Sequence, residues 1–147
     1  MEEVRLLNVL CDVNVLLDVL LAREPWVADA RAIWTAHHRK GLVGHIAAHG
    51  LTNLFYVARK VIGTEKAREA VRLCLQTFEV IAVGRPELEL ADSLAGNDIE
   101  DNLVLACAMR TGLDAVVTRD PKGFAGSAIP VLTPAELLGP LPKAPDA

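Results

Sequence analysis

Apolar residues along this chain fall in short unbroken runs, separated by helical patterns, rather than alternating with polar ones. Val4 to Cys11 (VRLLNVLC) is such a run and stops at an acid. It predicts a buried strand. Asn14 to Ala22 reads as a helix that Arg23-Glu24-Pro25 breaks, because the residue before a proline avoids the helical region. Pro25 suits the first turn of a second helix, which Ala28, Ala32, Ile33 and Ala36 carry to Gly41. Leu42 to Ala48 predicts a second strand and Thr52 to Val61 a third helix. Thr64 is the expected N-cap of a helix bearing Ala67, Ala70, Val71, Cys74 and Leu75. Phe78 to Val83 reads as a strand and Pro86 to Ala95 as a short helix. Asp98-Ile99-Glu100-Asp101 leads into an apolar helix over Leu103 to Thr111, closed by Gly112. Ala115 to Thr118 predicts a fourth strand ending at Arg119-Asp120. Ile129 to Leu132 predicts a fifth, followed by a turn of helix led by Pro134.

Strands that alternate with helices pair in parallel through crossovers. The expected fold is therefore α/β, with a short parallel sheet of four to five strands covered on both faces. No repeat or linker interrupts it, so residues 1–138 read as one domain and 139–147, with three prolines, as a loose tail. In such sheets ligands bind beyond the carboxyl ends of the strands.

Composition agrees and narrows the class. Of 147 residues, 52% are apolar, 23% charged and only 4% aromatic, with mean hydropathy +0.30. That supports a core of Leu, Val, Ile and Ala and excludes disorder over most of the length. The net charge of −4 argues against a basic glove for nucleic acid. Cys11, Cys74 and Cys107 lie in apolar runs without metal-ligand spacing, so buried free thiols are expected. Gly41 to Ala58 is uncharged, yet His45, His49, Gly44, Gly50, Thr52 and Asn53 break the continuity a membrane span needs. With no signal-peptide pattern, a cytoplasmic protein without membrane contact is the expectation.

Bulk charge hides how the acids are grouped. Asp12 follows the first strand, Asp98, Glu100 and Asp101 open a helix, and Asp120 follows the fourth strand. Two unit charges ~4 Å apart repel by roughly 4 kcal/mol at an effective dielectric of ~20. A cation resolves such a cluster, and oxygen ligands suit Mg²⁺ or Mn²⁺. Metal-assisted phosphodiester hydrolysis is the chemistry that follows. Taken singly the acids have plainer readings: Asp98 with Asp101 starts a helix well, Asp12 and Asp120 suit turns, and Asp18 reads as a surface or supporting group.

Asp12-Val13-Asn14-Val15-Leu16-Leu17-Asp18, with Arg23-Glu24-Pro25 behind it, resembles the opening of PIN-domain nucleases. Asp98-Ile99-Glu100-Asp101-Asn102-Leu103 with Ala106, Ala108 and Gly112 is similar to their third-acid helix. Val117-Thr118-Arg119-Asp120 with Phe124 resembles their last acidic motif. The resemblance implies a three-layer α/β/α sandwich and a Mg²⁺- or Mn²⁺-dependent ribonuclease. Asp12, Asp101 and Asp120 would be catalytic and metal-binding, Asp98 a further ligand, and Asn14, Asn53, Glu100 and Thr118 supporting groups. Many small members are VapC-type toxins, so an RNA substrate, a cognate antitoxin and a homodimer are implied too. One departure stands out. Asn53 occupies the place where these nucleases commonly carry a Glu, which removes one negative charge that Glu100 and Asp98 partly restore. The alternative is therefore a catalytically weakened RNA- or protein-binding module.

Arg59, Lys60 and Arg119 are candidate RNA phosphate contacts, weighed against solvated helix charges. Tyr56 is expected to pack on the Lys60 stem, and His37 and His38 to be exposed or dipole-favoured at a helix end. Trp26 and Trp34, eight residues apart, read as core or dimer contacts, and His45 and His49 as less favoured metal ligands. A haloacid-dehalogenase-like phosphatase fits poorly, since Asn14 stands where a second acid is needed. A receiver domain lacks its lysine after the fourth strand.

Overall fold

The fold is taken from a computed structural model that describes residues 6–124 and 126–139. The expected strand residues Val4 and Arg5 and the expected tail over 140–147 lie outside them. Five parallel strands form one sheet in the order β3-β2-β1-β4-β5: β1 Leu7–Cys11, β2 Leu42–Ala47, β3 Glu79–Ile81, β4 Ala115–Val117 and β5 Val131–Leu132. Helices cover both faces, giving the expected α/β/α sandwich. They are α1 Val13–Leu20, α2 Val27–His38, α3 Ala48–Ile62, α4 Thr64–Thr77, α5 Arg85–Ser93, α6 Ile99–Thr111 and α7 Pro134–Leu138.

The pleat sends neighbouring residues to opposite layers, so the unbroken apolar strands feed two cores. Val9 and Cys11 of β1, Ile46 of β2 and Val117 of β4 join one with Leu16, Leu17, Ile33, Leu54, Ala58 and Cys74. Leu10, Ala47 and Val116 join the other with Ala91, Leu105, Cys107 and Phe124. Helix α6 is buried from Asn102 through Ala108, on every side, as its continuous apolar sequence requires. The three cysteines are buried and free, as expected. Among the described residues no helix is long and apolar enough to cross a membrane.

Several local expectations give way. Helix α3 starts at Ala48, directly after β2, rather than at Thr52. Thr64 is inside α4; Gly63, at φ 86°, takes the cap position, a left-handed geometry that favours glycine. Pro25 precedes α2 instead of entering it, after a cis peptide bond. His37 is not exposed: its Nδ1 accepts from the Gly44 backbone N–H at 2.9 Å and its Nε2 donates to the Thr77 carbonyl at 2.6 Å. Gly44 is needed there, because a Cβ would lie 2.9 Å from the Phe78 ring. Trp34 meets Phe78 edge-on, but Trp26 is 43% exposed and no part of the core. Tyr56 carries the Arg59 guanidinium 5.2 Å from its ring centre.

Candidate functional site

The chain runs from β1 outward to β2 and β3, then crosses back to β4 and β5 on the other side. The reversal falls between β1 and β4, and the crevice at their carboxyl ends is where such sheets bind ligands. Cys11 pairs with Val117 there, and the next residue's amide, Asp12 N–H, still donates to the Val117 carbonyl at 2.9 Å. Register alone therefore brings Asp12 beside Thr118. The Thr118 hydroxyl, 1% exposed as a residue, donates to Asp12 Oδ2 at 2.8 Å and accepts the Asp120 N–H at 3.2 Å. One threonine thus fixes the first and last acids to each other.

The third element is the start of α6. Asp98 Oδ1 accepts from the backbone N–H groups of Glu100 and Asp101 at 2.9 and 3.0 Å, so Asp98 is an N-cap, and Gly112 closes the helix in the left-handed conformation. The cap aims Glu100 and Asp101 at the sheet edge. Glu100 Oε1 accepts from the Asn53 side-chain amide of α3, so an acid does stand beside the position where a charge is missing. Asp101 feels its neighbours most. Burial, then the charges of Asp98, Asp12, Glu100 and Asp120, push its carboxyl up to about 6. Glu100 is raised by burial and by Asp98 and Asp12, and Asp12 by burial against the Thr118 hydrogen bond.

Asp12, Asp98, Glu100, Asp101 and Asp120 thus share one electrostatic neighbourhood, although no group of three or more His, Cys, Asp or Glu side chains is drawn into metal-ligand contact among the described residues. The donor set is nevertheless the one hard divalent cations take: carboxylate oxygens, an amide and a hydroxyl, with unrelieved negative charge. Asn14 stands outside it, its side-chain oxygen accepting from Arg23 Nη2 at 3.2 Å. Arg119 points away as well, toward Asp18 and Trp26. Arg59 and Lys60 are exposed on α3.

At two residues the sequence names, His49 and Asp18, the surroundings are not legible in it. His49 lines a niche of about 10 Å³ with Cys11, Asp12 and Glu100, and its ring nitrogens are buried without a hydrogen-bond partner among the described residues. Burial lowers its pKa while Asp12 opposes that. Asp18 is buried against two arginines, which removes the surface alternative and leaves the supporting one. The run Asp18 to Arg23 was visible, but its link to Arg119 spans 101 positions.

Sheet, layers and acid edge define an α/β protein whose chemistry-bearing residues meet at the β1/β4 switch point. The family model of the PIN domain matches residues 8–122, and the chain belongs to that family. Among solved structures it is similar to the Mycobacterium tuberculosis toxin VapC20, which cleaves the sarcin–ricin loop (16% identity, 80% of this chain and 93% of that one, TM-score 0.68). It is also similar to a DNA-bound VapBC from Salmonella typhimurium (18%, 88% and 99%, TM-score 0.67). A third is a toxin–antitoxin complex from Klebsiella pneumoniae (24%, 86% and 97%, TM-score 0.64). At these identities the likeness is one of fold. No curated protein matches the chain in sequence.

Proposed function

We propose that this PIN-domain chain is a Mg²⁺- or Mn²⁺-dependent endoribonuclease, the toxin of a toxin–antitoxin pair, acting in the cytoplasm as a homodimer. The observation that carries the reading is the convergence of Asp12, Asp98, Glu100, Asp101 and Asp120 on one sheet edge, which together with burial pushes the Asp101 carboxyl up to about 6. Such crowding is unfavourable in a purely structural acid and is relieved by a cation. Asp12, Asp101 and Asp120 would hold the metal, with Asp98 and Glu100 adding charge. Bound there, a divalent cation supplies Lewis acidity toward the phosphoryl oxygen and a lower pKa for attacking water. Thr118 orients Asp12 and the Asp120 backbone, and Asn53 fixes Glu100. Arg59 and Lys60, exposed on α3, would meet phosphates from solvent. The antitoxin partner is inferred from the complexes among the similar structures.

The test is cleavage of RNA by the purified chain with Mn²⁺. Asp12→Asn should abolish it while leaving the thermal melt in place. Equal cleavage by the variant overturns the site assignment. The engagement of Asn53 with Glu100 favours a second reading, a catalytically weakened binding module. Calorimetric Mn²⁺ binding without any RNA cleavage would select it.

A further inference from the structure

The only arginine beside the acid edge in sequence is turned away from it. Asp18, on α1, is 1% exposed, and its Oδ1 accepts from Arg23 Nε at 2.8 Å and from Arg119 Nη1 at 3.1 Å. The Arg119 guanidinium also lies over the Trp26 ring, 3.9 Å from its centre. Arg23 in turn donates through Nη2 to Asn14 Oδ1 at 3.2 Å and to the Asn14 carbonyl at 3.4 Å. Both arginines lead back to the acids, since Arg119 is bonded in sequence to Thr118 and Asp120, and Asn14 is two residues past Asp12.

A guanidinium is a good partner for carboxylates and competes with a divalent cation for the same oxygens. One placed next to Asp120 and close to the crowded Asp12 and Asp101 would be expected to fall onto them. Its place at Asp18 needs a cause, and the surroundings supply one. The pair is little exposed, so screening is weak, and Trp26 holds the open face of the guanidinium by cation–π contact. From there the charge of Arg119 still reaches Asp12 and partly offsets the effect of burial on it, without occupying its oxygens.

We propose that Asp18 is a positioning residue that holds Arg119, and through Arg23 the Asn14 loop, away from Asp12, Asp101 and Asp120, so that these acids stay open to a divalent cation. The identity of that cation's role rests on the ribonuclease reading above; the positioning of Arg119 does not.

The experiment is calorimetric titration of Mn²⁺ alone into the full chain, for wild type, Asp18→Asn, Arg119→Gln and the double variant. Asp18→Asn should weaken Mn²⁺ binding about tenfold, or ~1.4 kcal/mol. Arg119→Gln should bind at least as tightly as wild type, and the double variant should return to within about twofold of Arg119→Gln. A loss that persists in the double variant is structural and overturns the proposal. Should Asp18→Asn not fold, Arg119→Gln decides, and weaker Mn²⁺ binding by it overturns the proposal. A metal-free structure of Asp18→Asn should show the Arg119 guanidinium on Asp12 or Asp120; retention over Trp26 overturns the positioning role. Wild type that binds no Mn²⁺, with Arg119 still displaced in Asp18→Asn, sinks the ribonuclease reading and leaves the positioning of Arg119 standing.

Discussion

Asp18 and Asp101 are two carboxylates close to one sheet edge, treated in opposite ways. Burial raises the pKa of both before any other cause. At Asp18 the guanidinium charges of Arg119 and Arg23 then oppose that rise. At Asp101 four further acids add to it. The fold thus seats its nearby cations on the acid that faces the interior, while Arg119 reaches Asp12 only by its charge and Asp101 is left among further acids. A sequence selected only to fold would gain by the reverse arrangement. Departures of this kind, where local electrostatics are left unfavourable inside a cleft, mark functional positions.

The largest effect should come from breaking the compensated side. Asp18→Ala leaves two poorly exposed guanidinium groups facing an emptied site and frees the Arg119 and Arg23 anchors together. Removing one partner of a buried ion pair costs roughly 3–5 kcal/mol, and the third charge here keeps the expected loss in that range. Urea unfolding of the metal-free chain measures it. A loss below about 1 kcal/mol would place the cluster among ordinary solvated surface pairs.

The contrast between these two acids also shows what a sequence can reveal. The uncompensated side was largely legible, because short-range rules place it. Asp12 and Thr118 sit one residue past two buried strands, and Asp98 with Gly112 brackets α6 by capping chemistry. The five strands and seven helices followed from apolar runs and breakers. The compensated side was not legible. The Arg119–Asp18 contact depends on how α1 and the loop after β4 approach in space, and nothing within either segment encodes it. His37 does lie in the last turn of α2, but its two partners, Gly44 and Thr77, belong to other elements and are not legible for the same reason. The cap of α4 differs from expectation because the backbone freedom of Gly63, at φ 86°, outweighs the side-chain signal of Thr64.

A smaller effect should follow from relieving the uncompensated side. Asp101 titrates near 6 in the folded chain against an ordinary value of 3.8, so its ionisation works against folding. The destabilisation is complete above pH 6 and disappears as pH falls through the interval from about 6 to about 4, the reverse of a salt-bridged acid. Asp101→Asn should therefore stabilise the metal-free chain at pH 7 by about 1 kcal/mol, after allowance for solvent screening. It should have little effect at pH 4. Thermal melts across that range check the sign. A variant less stable than wild type at pH 7 would mean that the helix dipole outweighs the neighbouring acids at this position.

The smallest expected change in stability belongs to Gly123, which sits against the same carboxylate. It lies in the short 3-10 turn over Pro121–Phe124, and a Cβ there would stand 2.5 Å from Asp101 Oδ2. The clash is with the end of a rotatable side chain, so Gly123→Ala should change unfolding free energy by no more than about 0.5 kcal/mol. The carboxylate must nevertheless turn, and a site built on oxygen positions is sensitive to that. Mn²⁺ affinity should fall by about threefold, corresponding to ~0.7 kcal/mol. This separates the two sides of the comparison most finely. At Asp18 a substitution costs folding first, whereas beside Asp101 it alters the chemistry of the crevice and spares the fold. Unchanged Mn²⁺ binding by Gly123→Ala would remove Asp101 from the cation's ligands and leave Asp12 and Asp120 as the pair to test.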